Sequence, residues 1–133
     1  MREKYETQKN ENLNSIILIK SGNFYATIED DAFIMKTIFN YQILKGKIGF
    51  PISSIDKVKS KLEELKVNYI VYNDNDNIIK KEFDNNSYLT ILNNCKKQEY
   101  KDNMKKLLFD RIEYLINLDY DNYDKIRKLI DEL

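Results

Sequence analysis

The chain opens without apolar spacing. Residues 1–14 are polar and charged, and read as a solvated arm or a short fraying helix. From Ser15 to Lys20 the run Ser-Ile-Ile-Leu-Ile-Lys is β-rich and mostly apolar, which predicts a strand buried on both faces. Gly22-Asn23 supplies a turn and Phe24 to Ile28 returns, so the pair predicts a tight hairpin. Glu29, Asp30 and Asp31 follow, and acids suit the first turn of a helix, where backbone N–H groups lack partners. The spacing predicts a helix over 30–40 that turns Phe33 or Ile34, Ile38 and Phe39 to the core.

A short strand is predicted over 41–44, leading through Lys45-Gly46 to another over 47–50. Pro51 and Ser53 mark a boundary. Ile55, Val58, Leu62 and Leu65 then recur at intervals of three and four, as on one face of a helix. A strand over 68–72, a polar turn at Asn73–Asn77 and an edge strand over 78–83 complete this part. Beyond Asp84 the pattern is helical. Met104, Leu107, Leu108, Ile112, Leu115 and Ile116 form one stripe, and Tyr123, Ile126, Leu129, Ile130 and Leu133 a second beyond a break at 119–124. The expected class is α/β, a mixed β-sheet flanked by helices over 15–84. It stands between the arm at 1–14 and a helical extension over 85–133 that packs on the domain or on a partner.

Composition narrows the chemistry. A length of 133 residues with 42% apolar positions supports one core and not two. No run of eighteen apolar residues occurs, so no membrane helix is predicted. The polar start lacks an apolar signal core, and the expected location is the cytoplasm. Histidine is absent, which removes the commonest general base, the serine and cysteine triads and most catalytic zinc sites. No GxxxxGK[ST] phosphate loop is present. Cys95 stands alone and reads as a half-buried helix residue. Asp74-x-Asp76 lacks the glycine and the bidentate glutamate of a calcium loop. Asp30-Asp31 as a nuclease metal pair carries little weight, because acids at helix starts are common. The expectation is a chain that is not an enzyme and takes no cofactor or metal.

Charge is balanced, at 22 basic and 22 acidic residues. Non-specific nucleic-acid binders usually carry a basic excess, since phosphate neutralisation dominates their affinity. Any such contact here has to rest on a local basic patch, or on shape and stacking.

Two motifs in order carry a family resemblance. The first is Lys20-Ser21-Gly22-Asn23-Phe24-Tyr25-Ala26, followed by Asp30-Asp31-Ala32. The second is Gly49-Phe50-Pro51-Ile52-Ser53-Ser54-Ile55-Asp56, leading into a helix and a strand. Over residues 16–74 the chain resembles the start of MutS proteins, whose corresponding motifs read R-M-G-D-F-Y-E and G-V-P-x-H-x-x-D. Ala26 stands where that family has glutamate, and Ser53 where it has histidine. The loop between the halves is shorter, only Lys45 to Lys47.

The resemblance implies a mismatch-recognition fold without the ATPase. It also implies that Phe24 is a wedge stacking on a mispaired base, where an apolar ring replaces base stacking and the duplex kinks. The glutamate that would hydrogen-bond the displaced base is missing at Ala26. Lys20, Asn23, Lys45 and Lys47 are the expected contacts around the hairpin tip, with Lys57, Lys59 and Lys61 on the next helix. Phe24 follows a turn, where an aromatic either stands free for stacking or folds in to cap the hairpin. The implied ligand is a DNA or RNA–DNA duplex. A reverse transcriptase is an implied protein partner through the C-terminal helices, because MutS-like accessory proteins of this shape accompany such enzymes in mobile retroelements. The competing expectation is a protein-interaction module that kept the fold and lost the DNA contact.

Overall fold

Alternation along the first strand divides the core in two. In the computed structural model, which describes residues 1–133, β1 (Ile16–Ser21) sends Ile16 and Leu18 to one face of a sheet and Ile17 and Ile19 to the other. All four are buried, as expected for a strand covered on both sides. β2 (Phe24–Ile28) pairs antiparallel with β1, with Ser21 opposite Phe24. The intervening turn has Gly22 at a φ of +62°, the position that glycine takes in a type II′ hairpin. β3 (Lys47–Pro51) pairs antiparallel with β2, β4 (Tyr69–Tyr72) parallel with β1, and β5 (Ile78–Lys81) antiparallel with β4. The order across the mixed sheet is β3-β2-β1-β4-β5.

Helices cover both faces. The larger core lies between the sheet and α2 (Glu29–Phe39), α3 (Ile55–Glu64) and the first turns of α4 (Tyr88–Leu118). The smaller core holds Ile17, Ile19, Ile28 and Ile70 around Tyr5 of α1 (Arg2–Glu11). The segment read as an arm or fraying helix is thus a helix that plugs one face of the sheet.

Asp31 lies at the meeting point of these parts. It is wholly buried, and four donors reach it: the Ile17 N–H at 3.1 Å, the Tyr5 hydroxyl at 2.7 Å, the Tyr88 hydroxyl at 2.6 Å and the Lys9 ammonium at 2.8 Å. Burial lifts its carboxyl above the ordinary value, while Lys9 and the two phenols pull it back.

Three expectations need correction. No strand forms over 41–44; Leu44 makes only an isolated bridge to Lys47 around the Lys45-Gly46 turn, where both residues have positive φ. Tyr41 and Ile43 pack on the rim of the core instead, with the Tyr41 ring stacked between Phe39 and Phe50. On α2 the buried positions are Asp31, Ala32, Ile34 and Met35, and Phe33, Ile38 and Phe39 pack at its margin. The edge strand is also shorter than its predicted span of 78–83, ending at Lys81 with all four residues exposed.

By its internal contacts the chain divides into two units, Met1–Cys95 and Lys96–Leu133. The second consists of the remainder of α4 together with α5 (Asp121–Asp131). No helix is long and apolar enough to cross a membrane.

Candidate nucleic-acid interface

The pleat sends Phe24 and Tyr25 to opposite faces. Tyr25 is buried, stacks on Phe50 with ring centres 5.8 Å apart, and donates its hydroxyl to Asn73 Oδ1. Phe24 is 52% exposed at the first position of β2, on the face opposite Tyr25. Of the two readings left open for this ring, the structure shows it uncovered and not folded in. Its cross-strand neighbours are Ser21 and Pro51, both exposed. Gly49, also exposed, faces Ala26 on the same side, so the strip beside the ring carries no tall side chain. The Asn23 carbonyl accepts from the Ile52 N–H at 3.1 Å, tying the hairpin tip to the segment that follows β3.

The basic residues are dispersed. Lys20 lies opposite Tyr25, on the face away from Phe24, and its ammonium donates to Asp74, which holds it above its ordinary pKa. Lys47 pairs with Ile28, at the far end of β2 from Phe24. Four strand positions separate those ends, roughly 13 Å at about 3.3 Å per residue. Lys45 occupies the tight turn just before it, with φ +55°. Only Asn23 adjoins Phe24 at the tip. Lys57 is exposed on α3, while Lys59 and Lys61 are half-buried there.

Ala26, two residues past Phe24 on the same face, is buried and offers no acceptor. Ser53 lies exposed in a 3-10 turn over Ile52–Ser54. The hairpin, the outward phenylalanine and the Gly-x-Pro strand beside it are the parts that a family comparison can test, and the family model described as MutS domain I matches residues 1–69. The chain belongs to the MutS domain I family. The match takes in α1 and runs to the first residue of β4. No curated protein matches the chain closely enough to add a second comparison.

Within this MutS domain I chain, the first motif includes Asp31 but does not reveal its buried set of four donors. Its donors come from α1, β1 and α4, and no short-range spacing joins them.

Proposed function

We propose that the chain is a non-catalytic, cytoplasmic nucleic-acid-binding accessory that senses distorted or mispaired duplex through Phe24. The observation that carries this reading is the exposure of that ring at the hairpin tip, beside a low strip formed by Gly49 and Pro51. A half-exposed phenylalanine held at the end of a paired hairpin is suited to enter a base step where pairing is already weak. Membership of the MutS domain I family supports it. Without a carboxylate at Ala26, the device relies on stacking and discriminates by deformability more than by hydrogen bonding. Asn23 is the polar group placed to meet the backbone beside the ring. Lys20, Lys45 and Lys47 act at a distance from it, as weak phosphate contacts that position the duplex. An RNA–DNA duplex belongs to the same ligand class, and a reverse transcriptase is the kind of enzyme that makes one.

A second reading has its own support. Lys20 is occupied by Asp74, Lys45 and Lys47 sit away from the tip, and the chain has no net charge. These features suit a protein-interaction module that has lost its duplex. Fluorescence anisotropy separates the two, using perfect, mismatched and bulged DNA and RNA–DNA duplexes at two salt concentrations. The wedge reading expects tighter binding to distorted duplexes, weakened roughly tenfold to a hundredfold by Phe24→Ala. Binding indifferent to that substitution, or none at low salt, would favour the interaction module.

A further inference from the structure

The unit Lys96–Leu133 contains no buried residue. Its two helices meet along Ile112 and Ile116 of α4 and Ile126 and Ile130 of α5, which line a shared apolar groove. That contact uses one side of α4. A second apolar line runs along another side: Tyr100, Met104, Leu107, Arg111, Tyr114 and Leu118 follow one another at intervals of four, three, four, three and four. This is the 3.5-residue repeat of a coiled-coil seam. Its five apolar members are 47% to 67% exposed. A helix that is apolar on two sides has been built to pack twice.

We infer that this seam joins a second copy of the chain, α4 against α4 in antiparallel orientation, completing a four-helix bundle with the two α5 helices. Charge selects the occupant and its direction. Residues 96–111 hold six Lys or Arg against three Asp or Glu, and residues 112–124 hold four acids and no base. Of those acids only Glu113 lies within α4, and Asp119, Asp121 and Asp124 follow its end, so an antiparallel second copy lays each basic stretch along the other's base-free helix end and the acids just past it. The seam is symmetric about position 109, so Tyr100 meets Leu118, Met104 meets Tyr114, and Leu107 meets Arg111 of the second copy. A parallel pair would set Arg111 against its own copy and like charge along like. The self-complementary pattern is what a two-fold interface requires, since each patch must fit itself. The seam's five apolar side chains with Leu108, Leu129 and Leu133 are all exposed. At roughly 100 Å² apiece they approach the roughly 800 Å² per partner of a specific interface.

Sedimentation equilibrium of the intact chain over a concentration series tests this. The expected mass is twice 16.0 kDa, and Leu107→Glu is expected to halve it while circular dichroism shows the strands retained. Direction is read by oxidative cross-linking, with the buried Cys95 as a silent background. Met104→Cys mixed with Tyr114→Cys should form a covalent dimer, and Met104→Cys alone should not. A monomer at every concentration, a mass unmoved by Leu107→Glu, or self-cross-linking of Met104→Cys alone overturns the proposal. The first of these would leave the seam to a different protein.

Discussion

The Lys9 ammonium lies 2.8 Å from Asp31, whose side chain has no contact with solvent. Lys9 also donates to the Ser15 carbonyl at 2.7 Å and to the Tyr88 hydroxyl at 3.0 Å, and rests over the Tyr88 ring. Two residues of α1, a strand amide and α4 thus converge on one carboxylate. The four donors divide two to each oxygen, so an amide in its place keeps one acceptor and turns an NH2 donor toward the other pair, whereas removing the lysine leaves three neutral donors in place. Asp31→Asn is expected to destabilise by about 3–5 kcal/mol and Lys9→Met by about 1–3 kcal/mol. Urea denaturation of the two variants checks the order. Equal losses would show that the ion pair, and not the donor set, holds the site.

The same cluster predicts an alkaline limit. Burial, followed by the charge of Asp31, pushes the Tyr5 and Tyr88 phenols above their ordinary value of 10.0. The unfolded chain therefore sheds these protons first. Stability from the two groups is complete below about pH 10 and is lost as pH climbs beyond it, by up to about 1.4 kcal/mol per pH unit for each. Thermal melts between neutral pH and pH 11 should show the decline. Tyr5→Phe and Tyr88→Phe should each make it shallower, while lowering stability at neutral pH.

How much of this was legible beforehand depends on range. The hairpin, the two-sided burial of β1 and the faces of α3 follow from local alternation and turn chemistry, and they appear where the pattern put them. Asp31 reads as an ordinary helix-start acid because it follows Glu29 and Asp30 in a first turn, where acids are common. What sets it apart is Tyr5, 26 positions earlier, and Tyr88, 57 positions later. The position of Lys45 and Lys47 was legible in principle. A hairpin followed by an antiparallel third strand puts its successive connections at opposite ends, so Lys47 had to pair with Ile28 and not with Phe24. The tail stripe grouped Leu107 with Ile112, although one lies on the open seam and the other in the groove shared with α5. Two apolar faces on one helix blur into a single broad stripe when only apolar positions are counted.

Thr27 offers a test that is independent of function. It is wholly buried in β2, and its hydroxyl has no hydrogen-bond partner within the protein. Thr27→Val keeps the shape and the branching and removes the unpaired group. It is expected to stabilise by about 1 kcal/mol in chemical denaturation. A loss of stability would mean that the hydroxyl is satisfied in solution.

Ala26 tests the recognition device. It shares a face with Phe24 and is buried between Ile19 and Gly49, so a longer side chain has to leave over Gly49, which carries none. Ala26→Glu would return an acceptor two residues from the wedge, at the position where MutS relatives carry one. Preference for mismatched over perfect duplex is expected to rise by about fivefold, the effect of one hydrogen bond of about 1 kcal/mol. An unchanged ratio in a folded variant would remove hydrogen bonding from the account of discrimination.

The opposite orientations of Phe24 and Tyr25 make the hairpin tolerant of some changes and intolerant of others. A substitution at Asn23 leaves the phase of β2 intact, and with it the choice of which ring faces outward, while one at Gly22 strains a φ of +62° without shifting that phase. An inserted or deleted residue between Ser21 and Phe24 shifts that phase by one. Phe24 would then be carried toward the core, and the Tyr25 hydroxyl would be pulled from Asn73. Variation in this loop should therefore conserve length more strictly than residue identity, a pattern visible in any collection of functional variants selected from a randomised turn.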